Sequence, residues 1–307
     1  MQVTLISKFL GCLKGSALGD AIGELAFRAR SRILLDAEIE ISHHLRYTDD
    51  TAMAISVAKC LIEKGAIDPE YLGALFHEEY SVDPWRGYAS GPPSIFRRVE
   101  SEGIKYAEAA TELFGGTGSF GNGSAMRVAP VGLFFPPDEL YDRARESALP
   151  THTHELAVDG AAVQAKSVSL ALAMQPEDGF PRKYFLGELA RFARTDVFRA
   201  KIALIEDLAA SDTPDTSSAR ELGRSVAVHE SLPFAIYCFT KYPDSYEECI
   251  HCAVLNRGDR DTLGAMAGAI SGAYLGESAI PEKWRRKLEQ RDLFEKLAHS
   301  LFEKATR

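Results

Sequence analysis

The sequence predicts an all-α protein, a single compact multi-helix domain over residues 1–307, and three observations predict it. Apolar residues recur at three-to-four-residue spacing through 51–64, 70–80, 155–174, 184–194, 218–240 and 262–276, the period of a helix with one face turned to a core. Period-two alternation, the mark of half-buried strands, is scarce. Breakers cluster at Asp83-Pro84, Gly91-Pro92-Pro93, Gly115 to Gly123, Phe135-Pro136-Pro137-Asp138, Gln175-Pro176 and Ser211 to Ser218, so these are expected to be loops. None is long enough for a domain linker.

Two helices stand out because each carries glycine every four residues: Gly11, Gly15, Gly19 and Gly23 near the start of the chain, then Gly264, Gly268, Gly272 and Gly276. Four-residue spacing stacks all four on one helix face, although glycine inside a helix costs about 1 kcal/mol relative to alanine. Close backbone approach between two packed helices would offset that cost. Lys14, Asp20 and Glu277 among the glycines argue against the membrane version of such packing. A pair packed this tightly would hold rigidly whatever projects from its ends.

Two helices are announced by acids. Thr48-Asp49-Asp50-Thr51 precedes Ala52-Met53-Ala54, and Asp259-Arg260-Asp261-Thr262 precedes Leu263-Gly264-Ala265-Met266-Ala267. An N-cap explains one aspartate at a helix start, because carboxylates and hydroxyls satisfy free first-turn amides and suit the helix dipole. It does not explain two pairs. If the pairs met in the core, like charges at ~4 Å would repel by about 4 kcal/mol at an effective dielectric near 20, which a cation would relieve. Carboxylates and hydroxyls are an all-oxygen donor set, suited to two Mg²⁺ ions, or Mn²⁺, rather than to zinc. From spacing, double capping and a metal cage both stay open.

Phe114-Gly115-Gly116-Thr117-Gly118-Ser119-Phe120-Gly121-Asn122 contains the spacing Gly116-x-Gly118-x-x-Gly121 found in dinucleotide and kinase loops, but a helical segment precedes it and no βαβ unit follows. What survives is the physics of consecutive glycines, whose amides can cradle a phosphate; Phe114 and Phe120 could stack on a base and Asn122 could hydrogen-bond a ligand. A plain mobile loop is the alternative. His152 and His154, just past Pro150, could cap a helix or serve a pocket.

Composition bounds the partners. With 35 basic and 44 acidic residues the net charge is −9, so direct nucleic-acid binding and anionic membranes are not expected. The first ten residues lack the features of a secretory signal and no stretch approaches ~18 apolar residues, which reads as a soluble protein. Five cysteines, an odd and low number, argue for a reducing, cytoplasmic setting. Cys249-Ile250-His251-Cys252 looks like a redox or zinc pair, yet no second CxxC completes it.

Together these segments resemble the ADP-ribosylglycohydrolase superfamily, which includes dinitrogenase-reductase-activating glycohydrolase. The match runs in order through GCLKGSALGDAIG (11–23), YTDDTAMAI (47–55), GSFGNGSAMRVAP (118–130), THTHE (151–155) and GDRDTLGAMAGAISGAYLG (258–276). Asp83-Pro84-Trp85-Arg86-Gly87-Tyr88, GSFGNGSAMRVA and ESLPFAIYCF (230–239) are most similar to the branch that removes ADP-ribose from serine and cleaves poly(ADP-ribose). The resemblance implies an all-helical fold with two Mg²⁺ ions held by Thr48, Asp49, Asp50, Asp259, Asp261 and Thr262. It implies Asp49, Asp50 and Asp261 as the catalytic centre, and an ADP-ribose site lined by Phe114, Gly116, Gly118, Ser119, Phe120, Gly121, Asn122 and His152. ADP-ribose or an ADP-ribosylated protein would be the partner, and a monomer is expected.

Two departures bear on substrate. Where the family carries a metal-binding or gating glutamate, this chain has Phe27; Glu24, one turn earlier, is the nearest acid and is taken as a shifted catalytic candidate, with residues 28–45 as a possible gate. Arg260 separates the late aspartates where a small residue is usual, and Arg257 precedes them where glycine is common; Arg260 is therefore a candidate for substrate contact. Competing readings are an ADP-ribosyl-arginine hydrolase, an enzyme acting on O-acetyl-ADP-ribose, a silent ADP-ribose-binding member and a two-metal phosphoesterase.

Overall fold

Glycine decides which two helices sit at the centre. In the computed structural model, which describes residues 2–29 and 31–305, helix Leu5–Ala26 packs antiparallel against helix Arg260–Leu275, and both are buried over almost their whole length. A Cβ placed on Gly15 would lie 2.6 Å from the Gly268 carbonyl oxygen, on Gly19 2.0 Å from that of Gly264, and on Gly23 2.3 Å from that of Arg260. No side chain fits between the backbones, so the predicted close approach holds along the whole seam. The C-terminal end of the first helix therefore meets the N-terminal end of the late one.

Helices Glu155–Ala173, Val228–Lys241, Tyr246–Leu255 and Arg291–Ala305 wrap this pair, and Asp49–Lys64 brings its N-terminus to the same end. Among the described residues no strand forms; pairing shrinks to two single bridges, Leu45 with Leu288 and Gly121 with Ala227. The all-α class follows.

Several boundaries differ from the periodicity. The segment 218–240 is two helices, Asp215–Leu222 and Val228–Lys241, parted where Gly223 takes φ 90°. Gly91-Pro92-Pro93 opens helix Gly91–Glu102, since proline in a first turn forfeits no helical hydrogen bond. Helices Arg32–Ile41, Leu140–Ala148, Asp196–Ala210 and Arg291–Ala305 were not singled out. The expected gate at 28–45 contains the first of these, with Arg30 outside the described residues. Helix Glu155–Ala173, with 19 residues and a mean hydropathy of 1.2, does reach the length and hydropathy of a membrane span, contrary to the sequence reading; 72% of that window is buried inside the protein, as in a core helix.

Candidate active site

The two acid-led helices open onto one cavity of about 400 Å³, lined by Asp49 and Asp50 on one side and Asp259, Asp261 and Thr262 on the other. Thr48 is the N-cap of helix Asp49–Lys64: its hydroxyl accepts from the Asp50 amide at 3.4 Å and donates to Asp50 Oδ2 at 3.3 Å. The Asp49 amide donates to the Arg86 carbonyl at 2.8 Å, tying the helix start to the strap 83–91. Gly87, at φ 101°, lies against Asp49, where a Cβ would come 3.2 Å from Oδ1. Capping accounts for Thr48 and leaves the carboxylates facing the cavity.

Asp20 is the residue that sequence reasoning missed. It sits on the first glycine helix, fully buried, and accepts from the amides of Thr48 and Thr51 and from the Thr51 hydroxyl at 2.5 Å. The signal was a carboxylate in a helix otherwise free of acids until Glu24, within GDAIG. Burial and crowding raise the acids: burial and then Asp20 lift Asp49 to about 7, burial and then Asp259 lift Asp261 to about 8, and burial and then Asp20 push Asp50 well above the usual carboxylate range. Asp50 Oδ1 is buried and has no hydrogen-bond partner among the described residues. An oxygen-only donor set with an orphaned, inward carboxylate oxygen fits hard divalent cations.

The glycine loop closes the other wall. Its backbone pairs with the segment before helix Val228–Lys241, Asn122 N donating to Val226 O at 2.9 Å and Val228 N to Phe120 O at 3.1 Å. Asn122 joins loop to acids, its amide nitrogen donating to Asp259 Oδ2 at 2.7 Å and Ser231 Oγ at 3.2 Å. Phe114, Ser119, Phe120 and Gly121 line the cavity, with the two rings exposed at its mouth. Gly116 and Gly118 do not. Gly118 instead lets the loop lie on Thr153, whose Oγ1 would be 2.2 Å from a Cβ there.

The two histidines divide the alternatives. His154 Nδ1 accepts from the Leu156 amide at 3.1 Å and caps helix Glu155–Ala173. His152 lines the cavity, buried, with its ring against Gly121 and Gly123. Burial, then the charge of Arg127, lowers its pKa to about 3.

Two candidates stand elsewhere. Glu24 is outside the cavity lining, half-exposed and 4.0 Å from Arg28, because one turn along the helix from Asp20 carries it past the acid cluster. Arg260 points away from the cavity: its guanidinium donates to the carbonyls of Ala26 at 2.7 Å and Val254 at 3.0 Å, and lines a separate cleft with Phe27 and Arg257. Its i+1 relation to Asp261 puts the two side chains on different helix faces. Cys249 and Cys252 are free and buried, which pushes both thiols up. Asp36, Glu247 and His251 gather nearby, but Arg32 already lies 3.5 Å from Glu247 and 3.9 Å from Asp36.

An all-helical fold in which two aspartate-led helices and a glycine loop share one cavity defines a glycohydrolase class. The chain belongs to the ADP-ribosylglycohydrolase family, whose model matches residues 1–307. It is 33% identical to the human ADP-ribosylhydrolase ARH3 (Homo sapiens), over 98% of this chain and 95% of that protein, and 32% identical to the ARH3 of Bos taurus, over 98% and 94%. A solved structure titled ADP-ribosylglycohydrolase-related protein complex superposes with a TM-score of 0.68 at 25% identity, covering 98% of this chain and 99% of that one. The protein is thus a hydrolase acting on ADP-ribose linkages, with ADP-ribose or ADP-ribosylated substrates as its ligands.

Proposed function

We propose a dinuclear Mg²⁺ ADP-ribosylhydrolase that cleaves the glycosidic bond between ADP-ribose and a serine side chain, in the cytoplasm and as a monomer. The observation that carries the metal is the convergence of Asp49, Asp50, Asp259 and Asp261 around one cavity with an orphaned Asp50 oxygen. Thr48, Asp49, Asp50, Asp259, Asp261 and Thr262 would hold the ions. Bound there, Mg²⁺ would supply electrophilic stabilisation of substrate oxygens and make water a better nucleophile.

The chain's own residues do the rest. Asp20 holds the Thr48 and Thr51 amides and so sets the angle at which Asp49 and Asp50 enter the cavity. Asn122 orients Asp259 and couples the loop that receives the nucleotide to the acids. Phe114 and Phe120 offer stacking faces at the mouth. Asp261, whose Oδ1 is held by the Thr262 amide at 3.0 Å, keeps Oδ2 for the proton of an attacking water. Attack at the anomeric carbon through an oxocarbenium-like transition state would break the bond to the serine oxygen, which would take up the proton that Asp261 received from the water and leave as the serine hydroxyl. The serine linkage rests on the motif resemblance and on similarity to ARH3 along nearly the whole chain. Poly(ADP-ribose) and O-acetyl-ADP-ribose are further substrates of the same kind. The five free, buried cysteines support a reducing compartment.

The test incubates protein and Mg²⁺ with serine-linked, arginine-linked and polymeric ADP-ribose and identifies products by mass. Free ADP-ribose from the serine linkage, abolished by chelator, is expected. Release from the arginine linkage alone overturns the serine reading, binding without release indicates a silent member, and AMP indicates a phosphoesterase. Asp261→Asn should lose turnover by a factor of about 10³ while retaining part of its ADP-ribose affinity.

A further inference from the structure

Beneath the histidine of the cavity lies a polar chain buried throughout. Arg127 is fully buried; its guanidinium lies 4.3 Å from the centre of the Phe76 ring and donates to the Ser147 carbonyl at 3.0 Å and to the Thr151 hydroxyl at 2.8 Å. Thr151 Oγ1 lies 2.7 Å from His152 Nδ1. The direction of that bond follows from the inventory of protons. A guanidinium has donors only, so the hydroxyl accepts from Arg127. Thr151 is 1% exposed, and among the described residues no other acceptor for its proton is recorded. If Nδ1 carried a proton, that hydroxyl would be left with a buried, unpaired donor, at a cost of roughly 1–3 kcal/mol.

We infer that Arg127, acting through the Thr151 hydroxyl, fixes His152 in its neutral Nε2–H tautomer, so that the ring offers one N–H donor to an oxygen of the bound nucleotide. The inference rests on the cavity being an ADP-ribose site. Nε2 is the nitrogen beside the loop: a Cβ on Gly123 would lie 3.1 Å from it, and one on Gly121 3.5 Å. Both positions are glycine, and either side chain would crowd the nitrogen. Arg127 and Thr151 border the cavity wall but are almost wholly buried; they are positioning residues, and neither needs to touch ligand for the effect. The arrangement offers a donor without a second positive charge, so ligand acceptance does not depend on imidazolium formation.

Selective ¹⁵N labelling of histidine in the full-length wild type reads the tautomer without ligand. The expected spectrum has His152 Nδ1 in the unprotonated range and Nε2 in the protonated one; the opposite assignment overturns the inference, whatever the enzyme's substrate. Thr151→Val, checked for folding by its melting curve, should mix the tautomers and weaken ADP-ribose binding about fivefold to tenfold, the loss expected for one buried hydrogen bond. Thr151→Ser should restore both readouts. Unchanged tautomer and affinity in folded Thr151→Val overturn the relay, whereas absence of ADP-ribose binding by wild type with the expected spectrum overturns only the ligand assignment.

Discussion

His152 shows how a single side chain can make stability depend on pH. In the unfolded chain it titrates near 6.5; folded, burial and Arg127 lower it to about 3. The unfolded state therefore binds more protons between these values, and the stability present above pH 6.5 is lost as pH falls toward 3, at up to about 1.4 kcal/mol per unit. The expected outcome is that the wild type minus His152→Asn difference in unfolding free energy, from urea titrations, shrinks steadily from pH 7 to pH 4. A flat difference contradicts the buried neutral ring. The residue pattern alone left His152 and His154 as equals, because their spacing in THTHE says nothing about which ring turns inward, and only the family resemblance singled out His152. What separated them was the turn before helix Glu155–Ala173, which aims one ring at the helix amide and the other at the glycine loop.

At the scale of the element, the glycine helices were legible and their contents were not. A four-residue repeat demands a close neighbour, and the structure supplies one. The same repeat does not say that Asp20, between Gly19 and Gly23, reaches across to the Thr48 turn, since that depends on where a third helix starts. Likewise Arg260 reads as a cavity residue from its place between two site aspartates, while helix geometry sends it to the other side. Substitution separates the two uses of glycine. Gly264→Ala, with its Cβ 2.1 Å from the Gly19 carbonyl, should cost about 3 kcal/mol through overpacking. Gly187→Ala, in helix Arg182–Phe192 and with only Arg191 at 3.4 Å, should stabilise by about 0.5–1 kcal/mol from helix propensity. Thermal unfolding of the two variants checks both signs.

For the whole molecule, the acid cluster sits where three separate helices meet, so anything that neutralises it ties them together. Mg²⁺ at a hundred times its dissociation constant should raise unfolding free energy by about 2.7 kcal/mol, with chelator reversing the gain. Differential scanning calorimetry with and without the ion measures this, and Asp50→Asn should diminish it. The acids were readable at a distance of some two hundred residues only because each pair preceded the same small apolar run. Shorter, more polar helices such as Leu140–Ala148 had no such marker: its buried face, Leu140, Ala144, Ser147 and Ala148, keeps helical spacing but is built mostly of small residues that stand out little from a polar sequence.

The seam between the two glycine helices carries an ambiguity of its own. A repeat of four is nearly self-similar, so sliding one helix by about 6 Å would again lay glycine on glycine. Smooth rails do not choose their own stopping point. That choice belongs to the fasteners beside them: the Tyr246 hydroxyl donating to the Gly15 carbonyl at 2.7 Å, Lys14 to Glu277 at 2.7 Å, and the Glu277 amide to the Ser7 hydroxyl at 3.2 Å. Loosening these would leave the rails intact yet free to settle one notch out of place, and the aspartates at their ends would then no longer face one another.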